Sequence, residues 1–170
     1  MQIATYEIRG KASFGIRQQD KIIDLPSLFA KQNTSEFPKD VLQLIQSGDS
    51  GTALVRAAIE AANGDFGDAA LDMVSVTVLP PIPNPPKVFC IGRNYAEHAK
   101  EAGFEMSPLP IMFHRFANTL IGDGASILFP KVSEQLDWEG ELAVVIGKPH
   151  RGQIAKEDAM DHVFGYTAFN

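Results

Sequence analysis

The sequence is poor in cysteine, with Cys90 the single example among 170 residues. One thiol excludes an internal disulfide and any zinc or iron–sulfur site built from several cysteines. Cys90 lies in KVFCIG, an apolar run typical of a buried strand. We therefore expect a buried, unreactive thiol there.

Long basic runs and long apolar runs are also missing. A net charge of -6 and a pI near 5.1 argue against a surface that binds nucleic-acid phosphates. No apolar stretch approaches the roughly 20 residues that span a bilayer, and the first ten residues lack the pattern of a secretion signal. The sequence thus predicts a cytoplasmic protein with neither a nucleic-acid nor a membrane partner.

Apolar residues make up 45% of the chain and charged residues 21%, which fits one ordinary domain or two small ones. Five of the eleven prolines fall in LPPIPNPPK, residues 79–87. Such a run favours stiff, extended backbone, so it predicts a linker between a small N-terminal domain, residues 1–78, and a second domain, residues 88–170.

The N-terminal part predicts a small α+β domain. Its first 25 residues alternate as in an antiparallel meander, and helices are expected around PKDVLQLIQSG and TALVRAAIEAANG. This part carries no recognisable chemistry.

The second part predicts a β-rich, mixed fold. Helices are expected over Asn94–Ala102 and near AKEDAMDHV. Strands are expected over Lys87–Ile91 and in IMFHRF, ASILFP, GELAVVIG and FGYTAFN. Because the last strand reaches Asn170 without a cap or polar tail, we expect this domain to be incomplete.

The helix in GRNYAEHAKEAG carries a candidate general base. Asn94 is a good N-cap, and Gly103 suits a left-handed stop. His98 and Glu101 are three residues apart and therefore neighbours on one helix surface. They can form a dyad in which the carboxylate fixes the imidazole tautomer. Alternatively, His98 only packs or caps and Glu101 is a solvated charge.

The acidic stretch LDWEGELAVVIG, residues 136–147, is a candidate metal site. Written as a strand, it places Asp137, Glu139 and Glu141 on one face, where repelling carboxylates need a lysine, a proton or a metal as partner. Glu139 and Glu141 flank Gly140 and offer hard oxygen ligands of the kind that Mg²⁺, Mn²⁺ or Ca²⁺ prefers.

Two alternatives remain open for the charged residues. The acids can belong to an edge strand and pair with Lys148 or Arg151. Arg93 and Arg115 follow apolar runs, where a guanidinium can bind a substrate carboxylate or form a structural ion pair. We assign Tyr95, together with Arg93, to substrate binding.

Several ordered motifs together resemble the fumarylacetoacetate hydrolase family. They are KVFCIGRNYAEHAKEAG, PIMFHRFANTLIGDGASILFP, and LDWEGELAVVIGK followed by EDAMDHVFGYTAFN, and they span about Pro80 to Asn170. The resemblance implies a mixed β-roll catalytic fold after a smaller N-terminal domain. It also implies a homodimer that binds Mg²⁺ or a similar ion such as Mn²⁺ or Ca²⁺.

The resemblance also implies roles for single residues. Glu139 and Glu141 would hold the metal, with an aspartate just after Asn170 as the third ligand. His98 and Glu101 would activate water or move protons. Arg115 stands where the family commonly has a catalytic lysine.

The function implied is a metal-dependent hydrolase or lyase that breaks a carbon–carbon bond in a 2-oxo acid, such as an acylpyruvate, through an enolate. Family relatives also isomerise or decarboxylate such acids, oxaloacetate among them, and that alternative stays open. A third reading, from another class, is a non-catalytic assembly module. We expect residues 1–170 alone to bind metal poorly and to have little or no activity.

Overall fold

An antiparallel meander opens the computed structural model, which describes residues 1–101, 103 and 109–170, apart from the side chain of His98. Strands β1 (Gln2–Ile8), β2 (Lys11–Gln18) and β3 (Lys21–Asp24) pair in sequence order, which confirms the predicted meander. Two short strands, β4 (Ala70–Asp72) and β5 (Thr77–Val78), extend the sheet to the order β4-β3-β2-β1-β5.

Three helices pack on this sheet: α1 (Leu25–Lys31), α2 (Val41–Gln46) and α3 (Gly48–Ala62). The last two confirm the two predicted helices, whereas α1 was not predicted. Its signals were present, since Asp24 caps it and a proline lies in its first turn. No helix among the described residues has the length and apolarity needed to cross a bilayer.

The core lies between the sheet and the three helices. Its apolar side chains are almost wholly buried, and the rings of Phe29 and Phe37 stack with centroids 4.7 Å apart at its edge. The members from the strands and α1 are Phe14, Ile16, Ile23, Leu25, Leu28 and Phe29; those from α2 and α3 are Val41, Leu44, Ile45, Val55 and Ala58.

A buried carboxylate joins the meander to α1. Asp24 is 7% exposed, and it accepts hydrogen bonds from the Tyr6 hydroxyl, from the Ser13 hydroxyl at 2.5 Å and from the Ser27 N–H at 2.8 Å. Three donors share one acceptor group, so the buried charge is satisfied without a cation.

The second part of the chain forms two separate strand pairs. Strands β6 (Phe89–Gly92) and β7 (Ile111–His114) pair antiparallel, with helix α4 (Ala96–Glu101) between them in sequence. Strands β8 (Glu141–Ile146) and β9 (Val163–Phe169) form the other antiparallel pair, with an irregular register at Val145/Ile146.

Several expectations for this part need correction. The segment 125–130 is not a strand, and the helix expected near AKEDAMDHV is a 3-10 helix over Lys156–His162. Cys90 is partly exposed, because β6 pairs only with β7 among the described strands and no described layer buries it. Ala102, the expected end of the helix in this part, lies outside the described residues.

The proline-rich segment is docked on the N-terminal sheet. The Leu79 N–H donates to the Thr5 carbonyl at 2.9 Å, and the Thr5 hydroxyl donates to the Pro81 carbonyl at 2.6 Å. Ile82 packs against the N-terminal core, as do Val145 and Phe164 from β8 and β9. Apolar contact thus joins the β8–β9 pair to the N-terminal core, while the domain boundaries at 78 and 88 stay predictions.

Replacing Asp24 by Ala should lower the free energy of unfolding by about 3 kcal/mol, because the buried Tyr6 hydroxyl and the Ser27 N–H lose their acceptor. Asp72→Ala is the matched control, since Asp72 makes an exposed ion pair with Lys21 at 2.8 Å and its loss should cost less than about 1 kcal/mol. Urea unfolding of both variants measures the difference, and equal losses would contradict the role given to Asp24.

Stability should also fall at high pH. Burial, and then the hydrogen bond to Asp24, raise the pKa of Tyr6 above its ordinary value. The protonated hydroxyl is therefore favoured in the folded state, and its contribution is complete below about pH 10 and declines as the pH rises further. Urea unfolding between pH 9 and pH 11, as a series of about five points, should show this decline in the wild type and a weaker one in Tyr6→Phe. Identical slopes would rule it out.

Candidate active site

The acidic segment differs from the predicted strand. Strand β8 begins at Glu141, so Asp137 and Glu139 precede it and do not share one pleated face with it. The Asp137 carboxylate accepts the Trp138 N–H at 2.8 Å. The Glu139 N–H donates to Oδ1 of Asn170 at 2.7 Å, so a side chain replaces the regular main-chain ladder there.

Glu141 is the first residue of β8, on a strand face that becomes more buried toward the end of the strand. Its side chain is exposed, Ala143 is partly buried, and Val145 packs on the N-terminal core. The opposite face, with Leu142, Val144 and Ile146, is exposed. The carboxylate of Glu141 thus extends from a strand that is anchored at its other end.

The donor set fits a hard divalent cation. Glu139 and Glu141 are exposed carboxylates on either side of Gly140, where an added Cβ would meet no described atom within 4 Å. Lys148 and Arg151 form no ion pair with these acids in the described part of the chain. Carboxylate oxygens with open space beside them suit Mg²⁺, Mn²⁺ or Ca²⁺, which complete their coordination with water or substrate.

The described residues alone do not form a complete ligand set: among them, no three histidine, cysteine or acidic side chains gather as a metal site. In the β8–β9 ladder Glu141 pairs with Phe169 and Leu142 with Ala168. The ladder ends at the Glu141–Phe169 pair, and Glu139 bonds to the Asn170 side chain instead, so the ladder register does not extend to Glu139. The third ligand that the family resemblance implies therefore stays a prediction.

Helix α4 confirms the predicted helix but begins at Ala96 instead of Asn94. The Ala99 N–H donates to the Tyr95 carbonyl at 3.0 Å, and the buried Ala99 fixes the inward face of the helix. Gly103 has a φ of 71°, and its N–H donates to the Lys100 carbonyl at 3.1 Å. Glu101 is exposed, and the His98 side chain lies outside the described residues.

A hydrogen bond connects Tyr95, the residue before α4, to the acidic segment. The Leu142 N–H donates to the Tyr95 hydroxyl at 3.2 Å, which brings the start of the helix beside the residue that follows Glu141. The structure therefore brings together three predicted elements of the site: Tyr95, the helix that carries His98 and Glu101, and the strand that begins at Glu141. Neither this contact nor the Asn170 bond has a signal in the sequence, because both join a side chain to main chain far away along the chain.

The two arginines lie at opposite ends of the β6–β7 pair. Arg93 follows β6 and has a φ of 56°, a left-handed conformation that few non-glycine residues adopt. Arg115 follows β7, and its N–H donates to the Val88 carbonyl at 3.0 Å, at the end where β6 begins. A shallow concavity of about 310 Å³ is lined by Phe113, His114, Arg115, Phe116 and Thr119.

The remaining histidines lie away from these residues. His162 bonds through Nδ1 to the Lys148 carbonyl at 2.8 Å, and its ring meets that of His150 edge-on at 5.8 Å. His114 contacts the Phe116 ring edge-on at 5.1 Å. None of the three joins the acidic segment in the part of the chain that the structure describes.

Several known proteins are similar to this chain in sequence. An oxaloacetate tautomerase of Bacillus subtilis (strain 168) is 39% identical over 179 residues, which cover 100% of this chain and 59% of that protein. A mitochondrial oxaloacetate tautomerase of Xenopus laevis is 37% identical over 155 residues, or 90% of this chain and 45% of the relative. The chain thus spans about half the length of these relatives.

Several solved structures are similar to this chain in fold. Maleylpyruvate hydrolase from Sphingobium sp. SYK-6 superposes with a TM-score of 0.72 at 27% identity, over 99% of this chain and 57% of that one. Its complex with manganese(II) and pyruvate gives a TM-score of 0.69 at 25% identity, with the same coverage. These matches confirm the predicted mixed, β-rich fold.

The family description "fumarylacetoacetate (FAA) hydrolase C-terminal" matches residues 87–170, the part that contains α4, the acidic segment and β9. A solved fumarylacetoacetate hydrolase from Exiguobacterium antarcticum also superposes, with a TM-score of 0.66 at 26% identity over 99% of this chain and 54% of that one. The chain therefore belongs to the fumarylacetoacetate hydrolase family.

Proposed function

We propose that the full-length protein is a metal-dependent tautomerase that interconverts the keto and enol forms of an oxaloacetate-like 2-oxo acid. The main support is the Bacillus subtilis oxaloacetate tautomerase, which is 39% identical across the whole of this chain, the acidic segment and α4 included. Isomerisation, the alternative that the sequence leaves open, is thus favoured over carbon–carbon bond hydrolysis.

Glu139 and Glu141 would hold the cation, with the third ligand supplied after Asn170. A divalent cation bound there would supply positive charge that polarises the 2-oxo group of the substrate. Manganese is named in the matched maleylpyruvate hydrolase complex, which supports a divalent ion but does not favour Mg²⁺ over Mn²⁺.

His98 would carry the proton. Ketonisation and enolisation exchange one proton between C3 and the oxygen on C2, so a base is required at carbon. A ring nitrogen of His98 would take the proton as the C3–H bond breaks and return it to the oxygen on C2. Glu101, one helical turn later, would orient the imidazole and stabilise its charged form.

The basic and phenolic residues would bind the substrate. Oxaloacetate-like acids carry two carboxylates, and a guanidinium matches each with two parallel hydrogen bonds. Arg93 and Tyr95 lie next to α4, so we assign them to the carboxylate nearer the reacting carbon. Arg115 borders the concavity at the far end of the β6–β7 pair, and its catalytic role remains a proposal drawn from the family resemblance.

A hydrolase is the second candidate. The maleylpyruvate hydrolase structures cover 99% of this chain, and hydrolysis of such an acid would use the same residues, with His98 deprotonating an attacking water. The full-length protein should be assayed with enol and keto oxaloacetate and with a panel of acylpyruvates. Fast loss of the enol absorbance without bond cleavage supports the tautomerase, whereas pyruvate release from an acylpyruvate favours the hydrolase. A homodimer and a cytoplasmic location remain proposals.

Glu141→Gln in the full-length protein should abolish metal-dependent turnover and weaken Mg²⁺ or Mn²⁺ binding at least about 100-fold, because a neutral amide replaces an anionic ligand. Glu134→Gln, an exposed acid upstream of the segment, is the control and should behave as wild type. Calorimetric titration measures binding, and circular dichroism checks the fold. If wild type releases no heat with either ion, the non-catalytic assembly module replaces the enzyme.

His98→Ala should reduce turnover by about 10²- to 10⁴-fold while metal affinity stays unchanged, because the imidazole moves the proton and is not assigned as a ligand. His150→Ala, on the surface of the same domain, is the matched control. Loss of turnover and metal binding together would show that His98 is structural or a ligand, and unchanged turnover would remove it from the mechanism.

A further inference from the structure

Two side chains from outside the acidic segment bind its main chain. The Glu139 N–H donates to Oδ1 of Asn170 at 2.7 Å, and the Leu142 N–H donates to the Tyr95 hydroxyl at 3.2 Å. One bond therefore lies at Glu139, and the other lies at the residue immediately after Glu141. Between them stand only Gly140 and Glu141.

This stretch has few other constraints. Glu139 precedes the strand, its side chain and that of Glu141 are exposed, and Gly140 has no described atom against the position of a Cβ. Glycine allows wide backbone freedom, and two adjacent carboxylates repel, so the unliganded segment would favour conformations that separate the acids. Bonds to main chain on both sides oppose that separation.

The two anchors come from different elements. Asn170 follows β9, the partner strand of β8, and Tyr95 directly precedes α4, the helix of His98 and Glu101. The Tyr95 bond therefore fixes the acidic segment relative to the helix as well as fixing its backbone. An N–H donor also leaves the Tyr95 hydroxyl hydrogen able to donate elsewhere, so substrate binding is compatible with this role.

We propose that Tyr95 and Asn170 are positioning residues that clamp the main chain around Gly140 and so hold the carboxylates of Glu139 and Glu141 together for a divalent cation. This inference rests on the proposed function, because it assumes that the two acids bind the ion. Groups that orient metal ligands typically contribute 10- to 100-fold to metal affinity.

Amide hydrogen exchange in the metal-free, full-length protein tests the clamp directly. Tyr95→Phe should speed exchange of the Leu142 amide by about fivefold and leave the Glu139 amide unchanged, because one hydrogen bond is lost. Asn170→Ala should do the reverse. Faster exchange throughout β8 would instead indicate general destabilisation and would overturn the proposal.

Titration with Mn²⁺ tests the consequence. Each variant should bind the ion about 10- to 100-fold more weakly than wild type. Tyr166→Phe, on the exposed side of β9, and Gln135→Ala, an exposed amide upstream, are the matched controls and should keep wild-type affinity. Wild-type affinity in Tyr95→Phe and Asn170→Ala would overturn the positioning role, and a raised KM for Tyr95→Phe with unchanged affinity would assign Tyr95 to substrate alone. If the wild type itself binds no Mn²⁺, the proposed function fails first.

Discussion

The proposed metal site depends on one constraint: the carboxylates of Glu139 and Glu141 carry like charges and have to lie close enough to share one cation. The two acids flank a glycine at the edge of a strand, and no described lysine or arginine pairs with them. Water can solvate two neighbouring acids without any help from the protein. Solvation therefore does not explain why side chains bind the main chain on both sides of them. The bonds from Asn170 and Tyr95 make sense if the acids have to be presented together.

The N-terminal part supports this arrangement from a distance. Val145 of β8 and Phe164 of β9 pack against its core, and the proline-rich segment is hydrogen-bonded to β1 through Thr5. The core in turn depends on Asp24, whose carboxylate joins the meander to the first helix. Strand β8, which begins at Glu141, is therefore held at its start by polar anchors and further along by apolar packing.

Local patterns in the sequence predicted much of the fold. Alternation revealed the meander and the strand β9, and helical spacing revealed α2, α3 and α4. Helix α1 was missed because it follows β3 without a loop, and segment 125–130 was assigned to a strand because its apolar run resembles one. The acidic strand was drawn too long, since alternation alone does not show that Asn170 replaces the ladder at Glu139. The metal ligands and the dyad were proposed from residue type and family resemblance. The hydrogen bonds from Tyr95 and Asn170 to the acidic segment were not predicted, because contacts such as that between Tyr95 and Leu142 depend on tertiary structure.

The two candidate reactions, tautomerisation and hydrolysis, would use the same site and differ in whether a water molecule attacks the substrate. Tautomerisation needs one proton carrier, whereas hydrolysis also needs a water placed for attack on carbon. Both require the acid pair to bind a cation. The most direct measurement is anomalous scattering from crystals of the full-length protein soaked in manganese. The account predicts an anomalous peak within coordination distance of both carboxylates, and a lysine or arginine side chain lying between Glu139 and Glu141, with no peak, would contradict it.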